Sequence, residues 1–302
     1  MRLFVIGNGF DINLGLNTSY KDFYCFLKQK YPDFLIETGE ILWAKKETDP
    51  LWSNFERELC SVNFIPFSIE DYECSENVSF DGLYEMKLNG IFSWKESLDK
   101  YFREWIDFSY TPPIHKPYVF DENDYFVNFN YTNSLEDCYS VERDHILYIH
   151  GRTNDTERLI FGHGVTHDLT KLYEDLNLTV DGYIVCSASQ LNDLIAIDTL
   201  IDQLRKPVGK LKIKLEKWLN HLSEITDVYV LGHSLGKVDL PYFEIIKETV
   251  ALDAKWYFSY YSDWDKDNVT KRTNDLEIEK FSLGRIDEIL MKVQKSRQYE
   301  FK

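Results

Sequence analysis

The sequence has no C-x-x-C pair. Its five cysteines, Cys25, Cys60, Cys74, Cys138 and Cys186, are odd in number and far apart. That pattern argues against a structural zinc site or a disulfide framework, so no metal is expected, and it fits a reducing compartment. No apolar run approaches the roughly 20 residues needed to span a bilayer, and no membrane partner is expected. There is no basic run either. Lys and Arg total 34 against 51 Asp and Glu, for a formal charge of −17. Such a chain repels polyanions, so nucleic acid is not expected as its main partner. The first apolar strand starts within two residues of Met1, which leaves no room for a cleavable leader. A cytoplasmic location is the expectation. Internal repeats and low-complexity tracts are missing as well.

What the chain does have is core material. With 302 residues, 44% hydrophobic and 16% aromatic, it can bury a full core as one large domain with sizeable insertions. Strand-like segments at Arg2–Ile6, Tyr125–Asn130, Ile146–Ile149, Leu159–Phe161, Val228–Leu231 and Lys255–Tyr261 alternate with helical periodicity. Helices are expected over Thr18–Leu27, around Trp52–Leu59 and Trp94–Phe108, over Ser189–Glu224 with a break at Pro207 and Gly209, and over Asp239–Leu252 and Arg285–Gln298. This order predicts an α/β fold, a mostly parallel sheet with helices on both faces. Large helical insertions are expected at about 40–120, ending at Pro112-Pro113, and at about 165–225.

Four segments at strand exits carry the candidate chemistry: Gly7-Asn8-Gly9-Phe10-Asp11, Asn128-Phe129-Asn130-Tyr131-Thr132, His150-Gly151-Arg152 and Gly232-His233-Ser234-Leu235-Gly236. Strand exits of a parallel sheet share one edge, so the four are expected to converge. The first is a partial G-x-G-x-x-G phosphate loop, with Ile12-Asn13 where the third glycine would fall. A tight βα turn without a ligand explains it equally well. Asn130 has a carboxamide that can both donate and accept, suited to a ribose hydroxyl and a water; an Asx turn is the alternative. His150 has the pKa range of a general base, unless its ring only caps a strand. His163 in Phe161-Gly-His-Gly164 competes with it. The fourth segment reads as the G-x-S-x-G nucleophile elbow of serine hydrolases. No histidine follows Ser234, so the usual order of that triad cannot form, and the glycines otherwise serve a close strand-to-helix turn.

Together with Asn17–Phe23, Asn133–Glu136, Tyr148–Gly151, Phe161–Gly164 and Val230–Gly236, these segments resemble the AbiH family of bacterial phage abortive-infection proteins over residues 3 to about 245. More distantly they are similar to the sirtuin-like NAD-binding group with its antiphage NADases. The resemblance implies a single Rossmann-like domain, 1–302, with NAD as substrate or ligand. Gly7, Asn8, Gly9, Phe10 and Asp11 would form the pyrophosphate loop. Asn130 would hold the nicotinamide ribose and orient water, His150 would be the catalytic histidine, and Thr132, Gly232, His233 and Ser234 would contact the cofactor.

The chain departs from that pattern in places. Thr132 stands where the group has an aspartate, with Asn133 or Asp11 as substitutes. Tyr24 replaces an arginine, leaving Arg152 to approach the phosphates. The missing cysteine quartet excludes a zinc-ribbon deacylase. The implied function is hydrolysis of the nicotinamide–ribose bond of NAD in antiphage defence. The alternatives are an inactive nucleotide-binding sensor or scaffold, and a serine esterase at Gly232–Gly236. Such an enzyme must be restrained before infection, by a lid or an oligomer contact from the aromatic-rich region 40–120 or the helices of 189–224, and a homo-oligomer or a defence-system partner protein is the expected partner.

Overall fold

The computed structural model describes residues 1–42, 48, 52, 54–60, 80–111, 118–164, 179–180, 183–184 and 188–300. Pro112-Pro113, Cys74 and Cys186 lie outside them. The chain forms two compact units, one made of Met1–Ser19, Arg103–Ile160 and Pro207–Lys302, the other of Tyr20–Phe102 and Phe161–Lys206.

The first unit holds a six-stranded parallel sheet. Its strands are β1 (Arg2–Ile6), β2 (Asp124–Asn128), β3 (Ile146–Tyr148), β6 (Asp227–Leu231), β7 (Lys255–Ser259) and β8 (Phe281–Gly284), in the order β3-β2-β1-β6-β7-β8. β1 is central and apolar on both faces, as a doubly covered parallel strand must be. Leu3 and Val5 pack on one side with helices α8 (Val208–Leu219) and α9 (Leu240–Thr249), through Leu211, Leu215, Leu219, Tyr242, Phe243 and Ile246. Phe4 and Ile6 pack on the other with α6 (Ser134–Tyr139) and α11 (Ile286–Glu300), through Leu135, Cys138, Tyr139, Ile289, Leu290 and Val293.

Register aligns Phe126, Phe4, Tyr229 and Tyr257 across four strands. Their rings stack at centroid distances of 5.2, 4.8 and 4.6 Å. Each such cross-strand aromatic pair adds roughly 0.5–1.5 kcal/mol beyond burial. At the start of the same strands Arg2 grips the buried Asp124 with two hydrogen bonds, 2.7 and 3.0 Å, the bidentate geometry that makes such pairs strong.

Two elements were not visible as apolar periodicity. Helix α10 (Asp263–Asp275) buries only Val269 and Thr273; its start is fixed by Ser262, whose hydroxyl accepts from Asp265 N. β8 is a short edge strand. The strand expected at Leu159–Phe161 does not form among the described residues. Ile160 N donates to His150 O at 2.8 Å, one bond rather than a ladder. The α8 helix, inside the stretch read as an insertion, packs on the main sheet instead.

The second unit contains α2 (Tyr20–Lys30), α3 (Pro32–Ile41), α4 (Phe55–Glu58), much of α5 (Phe80–Ser109), α7 (Ala188–Gln203) and an antiparallel pair, β4 (Thr179–Val180) with β5 (Tyr183–Ile184). Phe23, Phe55, Phe102 and Phe161 form its aromatic core. Lys206, its side chain fully buried, pairs with Glu56 at 2.8 Å. Among the described residues, no helix is long and apolar enough to cross a membrane.

Candidate functional site

Strand order reverses between β1 and β6, and in an open α/β sheet the crevice at such a reversal, outside the carboxyl ends, is where ligands bind. The short helix α1 (Asn8–Asn13) begins directly after Gly7. Gly7 N donates to Leu231 O and Gly9 N to Gly232 O, at 2.9 and 2.8 Å. Gly232 has φ +66°, and a Cβ there would lie 2.1 Å from Phe10 N. A Cβ on Gly7 would lie 2.6 Å from Gly232 O. The glycines of the first and fourth segments therefore answer each other: bare backbone lets the two loops touch at the reversal. Phe10 is core, tilted against Tyr139, and Asn8 Nδ2 donates to Thr18 O.

One face of this crevice is a buried polar cluster. Asp11, wholly inaccessible to solvent, accepts from Thr132 Oγ1 at 2.6 Å and from Ser134 Oγ at 2.8 Å. Burial pushes its carboxyl up to about 6, although those hydroxyls and the Asn130 amide favour the ionised form. The two asparagines at the exit of β2 divide their work. Asn128 Oδ1 accepts from Asn130 N at 2.9 Å, an Asx turn that ends the strand, while Asn130 Nδ2 donates to Gly7 O at 3.2 Å. Asn130 Oδ1 and Asn133 Oδ1 are buried with no hydrogen-bond partner among the described residues.

His150 follows β3 and is buried among aromatic rings. Phe129 and Tyr242 meet it edge-on at 5.3 and 6.2 Å, and Tyr131 lies parallel at 6.2 Å. Tyr131 OH also donates to Ile160 O, the residue whose N–H binds His150 O. Arg152 is engaged by two carboxylates. Its guanidinium holds Glu136 at 2.6 Å and Asp155 at 2.9 Å, and Tyr148 OH donates to the other Glu136 oxygen.

The Gly232–Gly236 segment does not form a nucleophile elbow. Ser234 is exposed, positive φ falls on Gly232 and Leu235 rather than on the serine, and the helix begins only at Leu240. His233 Nδ1 accepts from Leu235 N at 3.0 Å, and its Nε2 lies 3.7 Å from Asp239 Oδ2. Its ring packs on Phe129 at 4.5 Å. The loop is instead held by Gly232 N donating to Ser259 Oγ at 2.7 Å.

His163 belongs to the second unit. It is fully buried, its Nε2 donates to Ile201 O at 2.9 Å, and its backbone bridges Leu204 and Lys206. Tyr24 is likewise a core residue of that unit, edge-on to Trp52. Glu142, Asp144 and His145 have metal-ligand spacing but are largely exposed and precede β3, at the opposite edge from the glycine loops. Two site residues were not singled out from sequence, Ser134 and Ser259. Small hydroxyls carry no signal of their own, and only contact with Asp11 and Gly232 gives them meaning.

Fold and site define an α/β protein of the Rossmann-like class, with a glycine-lined switch point and a buried carboxylate–hydroxyl–amide cluster beside it. The family described as "Bacteriophage abortive infection AbiH" matches residues 3–260, and the chain belongs to that family. No curated protein and no solved structure matches it.

Proposed function

We propose that this protein acts in abortive infection by binding NAD at the carboxyl edge of the sheet and hydrolysing the nicotinamide–ribose bond. The observation that carries the reading is Asn130, whose Oδ1 is a buried acceptor without a partner among the described residues, beside the β1–β6 crevice. A buried acceptor left open loses about 1–3 kcal/mol, which a hydroxyl donor from a ribose would restore.

In this reading Asn130 holds a ribose hydroxyl and a water. The carbon–nitrogen bond breaks with its electron pair leaving on nicotinamide, positive charge develops on the ribose, and the water oxygen adds to the anomeric carbon. The proton of that water passes to His150, so that NAD and water become nicotinamide, ADP-ribose and a proton. The aromatic walls of Phe129, Tyr131 and Tyr242 keep bulk water from the imidazole. Loss of turnover through Thr132 is the less supported alternative, because Asp11 returns a carboxylate to that hydroxyl.

The test is incubation of purified protein with NAD, with nicotinamide and ADP-ribose followed by chromatography. Both products in equal amounts are expected. Tight NAD binding by calorimetry without either product would favour the sensor reading instead, and absence of binding would end the NAD reading.

A further inference from the structure

The cluster beside the crevice has an order that the sequence pattern does not state. Thr132 and Ser134 each own one hydroxyl proton; their oxygens lie 3.3 Å apart, but the shorter contacts, 2.6 and 2.8 Å, run from each to Asp11, whose charge draws both protons. A hydroxyl that has spent its proton can only accept from anything else. Asn130 Oδ1 adds a further acceptor. The cluster therefore offers oxygen lone pairs backed by a buried carboxylate. It suits a ligand rich in hydroxyl donors, or one on which positive charge builds, and it is mismatched to a bare phosphate or carboxylate.

The geometry points to Asp11 as a positioning residue that sets this polarity: it orients Thr132 and Ser134 as acceptors for the hydroxyls of a ribosyl ligand and needs its carboxylate ionised to do so. The inference rests on the NAD reading above and names how that site selects sugar over phosphate. Protonated Asp11 would itself donate, one hydroxyl would turn back toward the ligand as a donor, and the match would be lost. The groups that feel Asp11 from neighbouring elements are the phenols of Tyr110 and Tyr139, both pushed well above their ordinary range by burial, so neither charges near neutral pH. Asp137, which accepts from Tyr110, is the carboxylate next in line. His150 and His233 follow other strands at the same edge of the sheet, so the wild-type profile needs a reference lacking Asp11.

The experiment is calorimetric titration of the full chain with NAD between pH 5.0 and 7.5, for wild type, Asp11→Asn and Thr132→Val, with circular dichroism as the check of folding. With its carboxyl near 6, Asp11 is roughly tenfold less ionised at pH 5.0 than at 7.5. Wild-type affinity should fall by roughly that factor toward low pH, beyond any fall in Asp11→Asn. If Asp11→Asn does not fold, Thr132→Val must show the flattened profile in its place. Wild type binding NAD with a profile no steeper than the variants overturns this inference and leaves the NAD reading standing. Absence of NAD binding by wild type at every pH overturns both.

Discussion

Thr132 Oγ1 donates to Asp11 Oδ2 at 2.6 Å across 121 residues of chain. The bond joins the helix after β1 to the exit of β2, and it puts a carboxylate on Thr132. It has an energetic consequence, because a carboxylate with no exposure at all sits in a medium that disfavours its charge.

That consequence is measurable as pH-dependent stability. The Asp11 carboxyl is raised from 3.8 to about 6 in the folded state. The folded protein thus holds this proton more tightly than the unfolded chain does. The stabilisation this gives is complete below the unfolded value and is lost as pH rises through about 6. Near neutral pH, ionised Asp11 should cost about 3 kcal/mol relative to its neutral form. Urea unfolding of wild type and Asp11→Asn at pH 4 and pH 7.5 should show the difference between them move by most of that amount, in favour of the variant at high pH. A constant difference would mean that Asp11 titrates normally.

His150 and His163 should separate cleanly. His150→Ala should abolish nicotinamide release while the protein stays folded, since its ring is the proposed base. His163→Ala should leave the chemistry and lower stability by about 1–3 kcal/mol, because Ile201 O loses its buried partner. Activity and urea melts on both variants check this, and hydrolysis retained by the His150 variant would refute its assignment.

Backbone contact at the reversal predicts an asymmetric response to an added methyl group. Gly232→Ala combines positive φ with a Cβ 2.1 Å from Phe10 N and should lose about 3 kcal/mol or more. Gly236→Ala, whose nearest neighbours are side-chain oxygens at 3.9 Å, should change stability by less than about 1 kcal/mol. Equal effects from chemical denaturation would show that the loops do not touch as described.

In the second unit, Lys206→Met alone should destabilise by about 1–3 kcal/mol, since the fully buried ammonium's bond to Glu56 at 2.8 Å is lost. Lys206→Met with Glu56→Gln should recover a large part of that loss. Denaturation of the two singles and the double gives the coupling, and strict additivity would argue against the pair.

Much of the architecture was legible along the chain. Runs such as Leu3–Ile6 and Val228–Leu231 are apolar at every position, a pattern that survives only when both faces of a strand are covered. Helices with a clear apolar stripe, such as Tyr20–Lys30 and Val208–Leu219, announce themselves by spacing. Polar α10 escaped the same logic because a cap and two buried residues carry it. Leu159–Phe161 was misread because an apolar triplet forms a strand only if a neighbouring strand offers a ladder.

By itself the sequence determined the α/β alternation, the gathering of glycine, asparagine and histidine at strand exits and, through those motifs, the family, because each is written in neighbouring residues. Tertiary structure alone decided what those residues do to one another. Gly7, Gly9 and Gly232 serve a backbone contact between strands 225 residues apart in register partners Arg2 and Asp227. His163 is spent on a carbonyl and Arg152 on two carboxylates, while Asp11 is drawn into the site by Thr132 and Ser134. Hydrogen-bond partners and desolvation depend on distances through space, and those are fixed only when the chain has closed on itself.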